Sequence, residues 1–283
     1  QRQMCIRDRN VTAGNGSDEL ISVLMTAFLM KGDTVLTLSP DFSMYRFYSS
    51  LVEVRCVDVV KKSDLTIDVD ELISVSNQTG AKMILFSNPC NPTSVGLTRE
   101  QVRKIIRSVS ALVVLDEAYM DFWDQSLIQE AEQYDNLVVL RTCSKAFGLA
   151  ALRLGFAVAN RTITAALQAV KSPYNVNSVT QSAAAAVLSY PKTLNRAIEK
   201  MIDSRKGLSQ GLQQLLDKNP GRFLLYPSCT NFVLIRLTDA RAVYEKLLSE
   251  GIAVRLMGDT MRITAGSPAE NAELLTVLER ILR

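Results

Sequence analysis

No histidine occurs anywhere in the 283-residue sequence. That absence removes Ser-His-Asp and Cys-His nucleophilic sites, the usual catalytic zinc sites and histidine general bases, and no metal centre is expected. No apolar run reaches the roughly 18 residues that span a bilayer. The N-terminus has charges but no apolar centre of the kind a secretory signal carries. Cys-x-x-Cys pairs are missing too. The five cysteines (Cys5, Cys56, Cys90, Cys143 and Cys229) are odd in number and scattered, which predicts reduced thiols in a cytoplasmic protein. Charge of one sign is scarce as well. Lys and Arg total 32 against 29 Asp and Glu, a surplus too small and dispersed for a nucleic-acid groove or a membrane anchor. A glycine-rich G-x-G-x-x-G opening a helix after a strand is absent, which argues against a nicotinamide-binding oxidoreductase.

What is present is an ordinary globular balance, with 47% hydrophobic and 22% charged residues. Residues 1–9 (QRQMCIRDR) are densely charged without an amphipathic period, and read as a leader foreign to the fold. From Val11 onward, helix and strand signals alternate. Ser17 is expected to cap a helix running to Met30, and strands are expected at 33–38, 53–60, 82–87, 111–116, 136–142 and 154–159. These short, apolar runs suit strands buried on both faces of a parallel sheet. After Pro191 the texture changes to a long helix, short strands, and a last helix signposted by Ser267, Pro268 and Glu270. The expectation is an α/β large domain at 10–190 and a smaller α+β domain at 191–283.

Four clusters carry candidate chemistry, three of them where buried strands end, the place open α/β sheets bind ligands. In Gly14-Asn15-Gly16-Ser17-Asp18-Glu19, a glycine-bearing turn opens a helix whose free amides suit a phosphate, or form an ordinary capped start. In Ser87-Asn88-Pro89-Cys90-Asn91-Pro92-Thr93, two Asn-Pro pairs build a rigid turn, leaving the Asn91 amide for a ligand or for the turn itself. In Asp116-Glu117-Ala118-Tyr119, a carboxylate ends an apolar strand and needs a partner. A protonated ring nitrogen, an arginine or magnesium would serve, though no G-x-x-x-x-G-K-[ST] loop accompanies it. In Thr142-Cys143-Ser144-Lys145-Ala146-Phe147-Gly148, a lysine flanked by small hydroxyls, with Arg153 further on, suits a Schiff-base role or a plain surface position. Jointly the clusters suit one ligand, pyridoxal 5'-phosphate: Lys145 for its aldehyde, Ser17, Ser144 and Arg153 for its phosphate, Asp116 for its ring nitrogen, Asn91 and Tyr119 for its phenolic oxygen.

The ordered set GNGSDE, SNPCNPT, VVLDEAY, RTCSKAFG with LRLGF, and MRITAGS resembles the signatures of the fold-type-I pyridoxal-phosphate aminotransferases, and most of all the histidinol-phosphate aminotransferases. The resemblance covers about Asn10 to Arg283. It implies a mostly parallel central sheet flanked by helices, and a smaller C-terminal α+β domain. It implies catalytic roles for Lys145, Asp116 and Tyr119. Cofactor contacts would come from Ser17 and Asp18 (through backbone amides), Phe42, Asn91, Thr142, Ser144 and Arg153. Phe42 is expected to stack on the cofactor ring, with Tyr45 as the alternative. Arg255 and Arg262 resemble the arginines that hold substrate.

The implied reaction is transamination between glutamate and imidazole acetol phosphate, in histidine biosynthesis. The partners would be small molecules, an amino donor and a phosphorylated keto acceptor, and the full-length protein a cytoplasmic homodimer. Threonine-phosphate decarboxylase or another class I/II aminotransferase would suit the same residues. Two departures stand out: Ser94-Val95 where the family often has glycine directly after the threonine, and a short stretch between Arg255 and Arg262. Family members also carry several dozen residues ahead of GNGSDE, so an N-terminally truncated chain, active or merely a non-catalytic fragment, is expected.

Overall fold

The computed structural model describes residues 9–283, so all but the last residue of the expected leader lies outside the described residues. Two units form. The first holds residues up to Asn91 together with Gly96–Pro191, and the second holds Pro92–Val95 with Lys192–Arg283.

The first unit is built on a seven-stranded sheet. Strands β1 (Val11–Asn15), β2 (Thr34–Ser39), β3 (Arg55–Val60), β4 (Met83–Ser87), β5 (Leu112–Asp116), β6 (Leu137–Thr142) and β7 (Leu154–Ala159) lie in the order β1-β7-β6-β5-β4-β2-β3. Strands β2 to β6 are mutually parallel, as the doubly apolar runs predict. β7 departs from that expectation by pairing antiparallel with β6, and β1 pairs antiparallel with β7. The physical reason is the connection. Between β6 and β7 the chain makes only a short turn with one 3-10 segment, Ala150–Leu152, and a parallel return needs a crossover of a dozen or more residues.

Both faces of the sheet are covered, and the period of two is visible residue by residue. Ile84 and Phe86 of β4, Val113 and Leu115 of β5, and Leu137 and Val139 of β6 pack into one core. Helices α3 (Val69–Thr79) and α4 (Arg99–Ser108) close it with Leu72, Val102 and Ile105. Met83, Leu85, Val114, Val138 and Leu140 point the other way, against α1 (Gly16–Phe28) and α5 (Arg161–Val170). Between β2 and β3 lies α2 (Met44–Leu51), and α6 (Ser178–Leu188) follows α5.

At the start of α1 the sequence expectation fails in detail. Asn15 takes the N-cap position and Ser17 falls inside the first turn, because β1 runs straight into the helix through Gly16. With φ of +77°, Gly16 makes the sharp turn that a side chain would oppose. The Glu19 carboxylate accepts the Asn15 backbone N–H at 2.6 Å, so the helix start is satisfied by a later acid and not by Ser17.

The second unit packs α7 (Pro191–Lys218), α8 (Ala240–Ser249) and α9 (Pro268–Leu282) on a four-stranded antiparallel sheet. Its strands are β8 (Leu224–Leu225), β9 (Phe232–Arg236), β10 (Arg255–Met257) and β11 (Thr260–Thr264), in the order β10-β11-β9-β8. Leu208, Leu212, Val243, Leu247, Leu274 and Leu278 from the helices meet Val233, Ile235, Met261 and Ile263 from the sheet. Ser267 and Glu270 form a reciprocal capping box around Pro268, as their spacing predicts. No helix among the described residues is long and apolar enough to cross a membrane.

Candidate active site

Ser87, Asp116 and Thr142 are the last residues of β4, β5 and β6, three neighbouring parallel strands, so their side chains arrive at one edge of the sheet. A cleft of about 510 Å³, its mouth included, opens there. Its lining brings together Ser17, Asp18 and Phe42 with Asn91, Asp116 and Tyr119. Thr142, Ser144, Lys145 and Arg153 complete it, beside Ser87 and Ala118. The size suits a small-molecule cofactor.

Asp116 is 4% exposed. One oxygen accepts the Tyr45 hydroxyl at 3.0 Å and the other the Ala118 backbone N–H at 3.1 Å. No cation pairs with it among the described residues, and burial pushes its carboxyl up to about 6 despite the two donors. A buried acid with hydrogen bonds and no counter-charge is poised for a cationic ligand. Tyr45 is itself buried, and burial with the adjacent Asp116 raises its hydroxyl well above the usual phenol range, so it stays a proton donor to that acid.

That geometry corrects one expectation. Tyr45 does not line the cleft and is no candidate for stacking on a ligand ring, because its hydroxyl is committed to Asp116 below the floor. Phe42 lies on the cleft wall, edge-on to Tyr45 with ring centroids 5.5 Å apart.

The following residue, Glu117, turns away from the cleft. It is fully buried and accepts from Ser126 Oγ at 2.5 Å, Leu127 N at 3.0 Å and Arg141 Nη1 at 3.2 Å. Those bonds anchor the chain between Asp116 and Tyr119. Across the cleft, Lys145 is exposed, with its ammonium 5.5 Å from the Tyr119 ring centroid. Thr142 Oγ1 accepts the Ser144 backbone N–H at 3.2 Å and so shapes the turn that presents the lysine.

The fourth wall is a cradle around Arg153. Arg153 sits in the left-handed region with φ of +53°, a conformation few residues other than glycine adopt. There its guanidinium reaches Ser144 Oγ at 3.4 Å and the Asp18 carboxylate at 3.2 Å, beside the first turn of α1. Asp18 therefore engages the cradle through its side chain. Gly155 of β7 lets this happen. A Cβ there would lie 2.4 Å from the Gly16 carbonyl carbon and 2.5 Å from the Ser17 nitrogen, both backbone atoms. Gly155→Val is accordingly expected to push the start of α1 away from Arg153 and weaken phosphate-ligand binding by roughly 100-fold. A ligand titration checks this, and affinity within threefold of the parent would refute the close-approach argument.

Arg255 and Arg262 belong to the second unit. They face each other across the β10–β11 register and line one cleft with Ile252, Thr264 and Gly266. The Arg262 guanidinium stacks over the Phe232 ring at 4.9 Å. Like charges directly opposite one another disfavour a sheet pair, and Glu270 and Glu273 line the same cleft.

Residues 4–278 match the family model for aminotransferases of class I and II. The chain belongs to the class I and II aminotransferases. Among its relatives, the histidinol-phosphate aminotransferase of Clostridium kluyveri is 39% identical over 283 residues, covering 98% of this chain and 79% of the relative. The enzyme of the same description from Thermoanaerobacter sp. (strain X514) is 40% identical over 279 residues, covering 96% and 78%. Among solved structures, that of histidinol-phosphate aminotransferase from Sinorhizobium meliloti in complex with pyridoxal-5'-phosphate superposes with a TM-score of 0.87 at 25% identity, covering 97% of this chain and 77% of that one. For this aminotransferase, sequence reasoning missed Tyr45 as the partner of Asp116, and Glu117 as the anchor of the strand end. Both are read only from contacts between distant or buried groups.

Proposed function

We propose that this chain is a pyridoxal-phosphate-dependent transaminase that moves an amino group between glutamate and imidazole acetol phosphate, giving histidinol phosphate and 2-oxoglutarate. The observation that carries the reading is Asp116, buried without a cation beside it among the described residues, in one cleft with the amine of Lys145 and the Ser144–Arg153 cradle. These residues fit the cofactor group by group. A protonated ring nitrogen would give Asp116 its counter-charge, an aldehyde would engage Lys145, and a phosphate would meet Ser17, Ser144, Arg153 and the first amides of α1. When bound, pyridoxal phosphate supplies an electron sink for negative charge developing at the substrate's α-carbon.

The chain's own residues do the rest. Lys145 Nζ would carry the proton from the donor's α-carbon to the cofactor's aldehyde carbon, and carry one from there to the acceptor's α-carbon in the second half-reaction. Asp116 would hold the proton on the ring nitrogen, Asn91 and Tyr119 would fix the ring oxygen, and Phe42 would cover one ring face against water, while Thr142 shapes the lysine turn. Arg255 and Arg262 take the substrate's phosphate, Arg262 the more firmly because Phe232 orients it. The cofactor is thus assigned to the 10–190 domain, in a protein that acts in the cytoplasm as a homodimer.

An absorbance titration with pyridoxal phosphate, followed by donor and acceptor screens, tests this reading. Turnover of glutamate with imidazole acetol phosphate is expected, and release of carbon dioxide from threonine phosphate in its place would overturn the substrate assignment. Arg262→Ala should cost about 2 kcal/mol of discrimination between histidinol phosphate and histidinol, some 30-fold in kcat/KM. Equal rates on both compounds in the parent would exclude a phosphate role for the arginines.

A further inference from the structure

Beneath the cleft lies a charged cluster that the proposed mechanism does not use. Asp41, in the loop between β2 and α2, and Lys61, just past β3, have side chains 1% and 0% exposed, with Nζ and Oδ2 4.0 Å apart. Lys61 Nζ also donates to Cys90 Sγ at 2.9 Å. Burying two charges costs several kcal/mol per ion, and a pair of this length offsets that cost only in part. The ion pair alone does not account for the burial, so the carboxylate's other contacts are the place to look for its use.

Those contacts converge on the cleft. Asp41 Oδ1 accepts the Phe42 backbone N–H at 2.7 Å and the Ser87 hydroxyl. Its Oδ2 accepts the Ser87 backbone N–H at 3.3 Å. Ser87 Oγ in turn accepts the Asn91 backbone N–H at 3.2 Å. One carboxylate therefore ties the loop after β2, which bears Phe42, to Ser87 at the end of β4 and, through Ser87 Oγ, to Asn91 in the turn that follows. All three of those residues line the cleft.

We propose that Asp41 is a positioning residue of the cofactor site: its carboxylate, held in place by buried Lys61, sets the Phe42 ring wall and the Asn91 contact relative to each other. The inference rests on the pyridoxal-phosphate reading of the cleft. Asparagine at position 41 keeps one acceptor oxygen but turns an N–H₂ toward donors, so it cannot serve Phe42, Ser87 N and Ser87 Oγ together. Lys61→Met alone leaves the carboxylate buried without its counter-charge and is expected to lower the Tm by about 10 °C. Combining Asp41→Asn with Lys61→Met removes the charges together and should recover most of that loss, the remainder being the donor that asparagine leaves unserved.

The double variant separates positioning from stability. Parent, both single variants and the double variant are titrated with pyridoxal phosphate, and the bound cofactor's visible circular dichroism is recorded beside the Tm of the cofactor-free protein. A positioning role predicts that the double variant recovers most of its Tm yet binds the cofactor roughly tenfold more weakly, with altered dichroism. Borohydride treatment should still fix the cofactor to Lys145. If the double variant regains affinity and dichroism along with its Tm, the cluster is structural only and the proposal is overturned. If it stays unfolded, Asp41→Asn alone decides by the same dichroism, unchanged dichroism overturning the proposal. A parent that takes up no pyridoxal phosphate would instead overturn the reading of the cleft itself.

Discussion

Replacing Lys145 by alanine is expected to lower kcat by roughly four orders of magnitude, the upper range for losing a positioned proton-transfer group. The lysine stands on the turn after β6 and faces the cleft beside Tyr119, exposed enough to reach a ligand. Its loss removes both the amine that engages the cofactor's aldehyde and the base that works at the substrate's α-carbon. Arginine in its place keeps a cation but not a transferable proton at neutral pH, so Lys145→Arg should be as inactive as the alanine variant. Cofactor affinity should fall less than turnover, because the Ser144–Arg153 cradle and Asp116 are untouched. Borohydride reduction of the loaded parent followed by peptide mass mapping checks the assignment, with the label expected on Lys145. A label on any other lysine would sink it.

The clusters that meet at the cleft were legible because each is local: a turn or a strand end whose residue types announce a chemical need within six or seven positions. GNGSDE, SNPCNPT, DEAY and TCSKAFG are read without knowing what lies across the sheet. The alternation of apolar runs likewise predicts strands buried on both faces, and the register of β4, β5 and β6 then carries Ser87, Asp116 and Thr142 to one edge. What joins the clusters was not legible. Tyr45 reaches Asp116 across 71 residues, Asp41 reaches Ser87 across 46, and Arg153 reaches Asp18 across 135. No local pattern marks such pairs. Tyr45 reads as one more aromatic in a run of them, which is why it stood as an alternative to Phe42. The direction of β7 was hidden for another reason: an apolar strand reads the same whichever way it runs, and only the missing crossover helix before it gives the antiparallel return.

Asp116→Asn should separate function from stability in opposite directions. In the cofactor-free protein the buried carboxyl is pushed up to about 6 from an ordinary 3.8, with desolvation the chief cause. Below about pH 4 the acid is protonated whether the chain is folded or unfolded, and burial of charge costs nothing. Between about pH 4 and 6 the folded chain keeps a proton that the unfolded chain has released, so stability falls as the pH rises. Above about 6 both are ionised and the full cost remains, about 3 kcal/mol. Asparagine carries no charge to bury. The variant should therefore gain several degrees in Tm over the parent at pH 8 and almost nothing at pH 4, measured without cofactor. Loaded with pyridoxal phosphate it should lose roughly a thousandfold in kcat, because an amide cannot balance the charge of a protonated ring nitrogen. The same buried charge that weakens the empty fold is then what the cofactor's cation needs. An equal gain in Tm at both pH values would show that burial of charge is not its cause, and turnover within a few-fold of the parent would remove Asp116 from the chemistry.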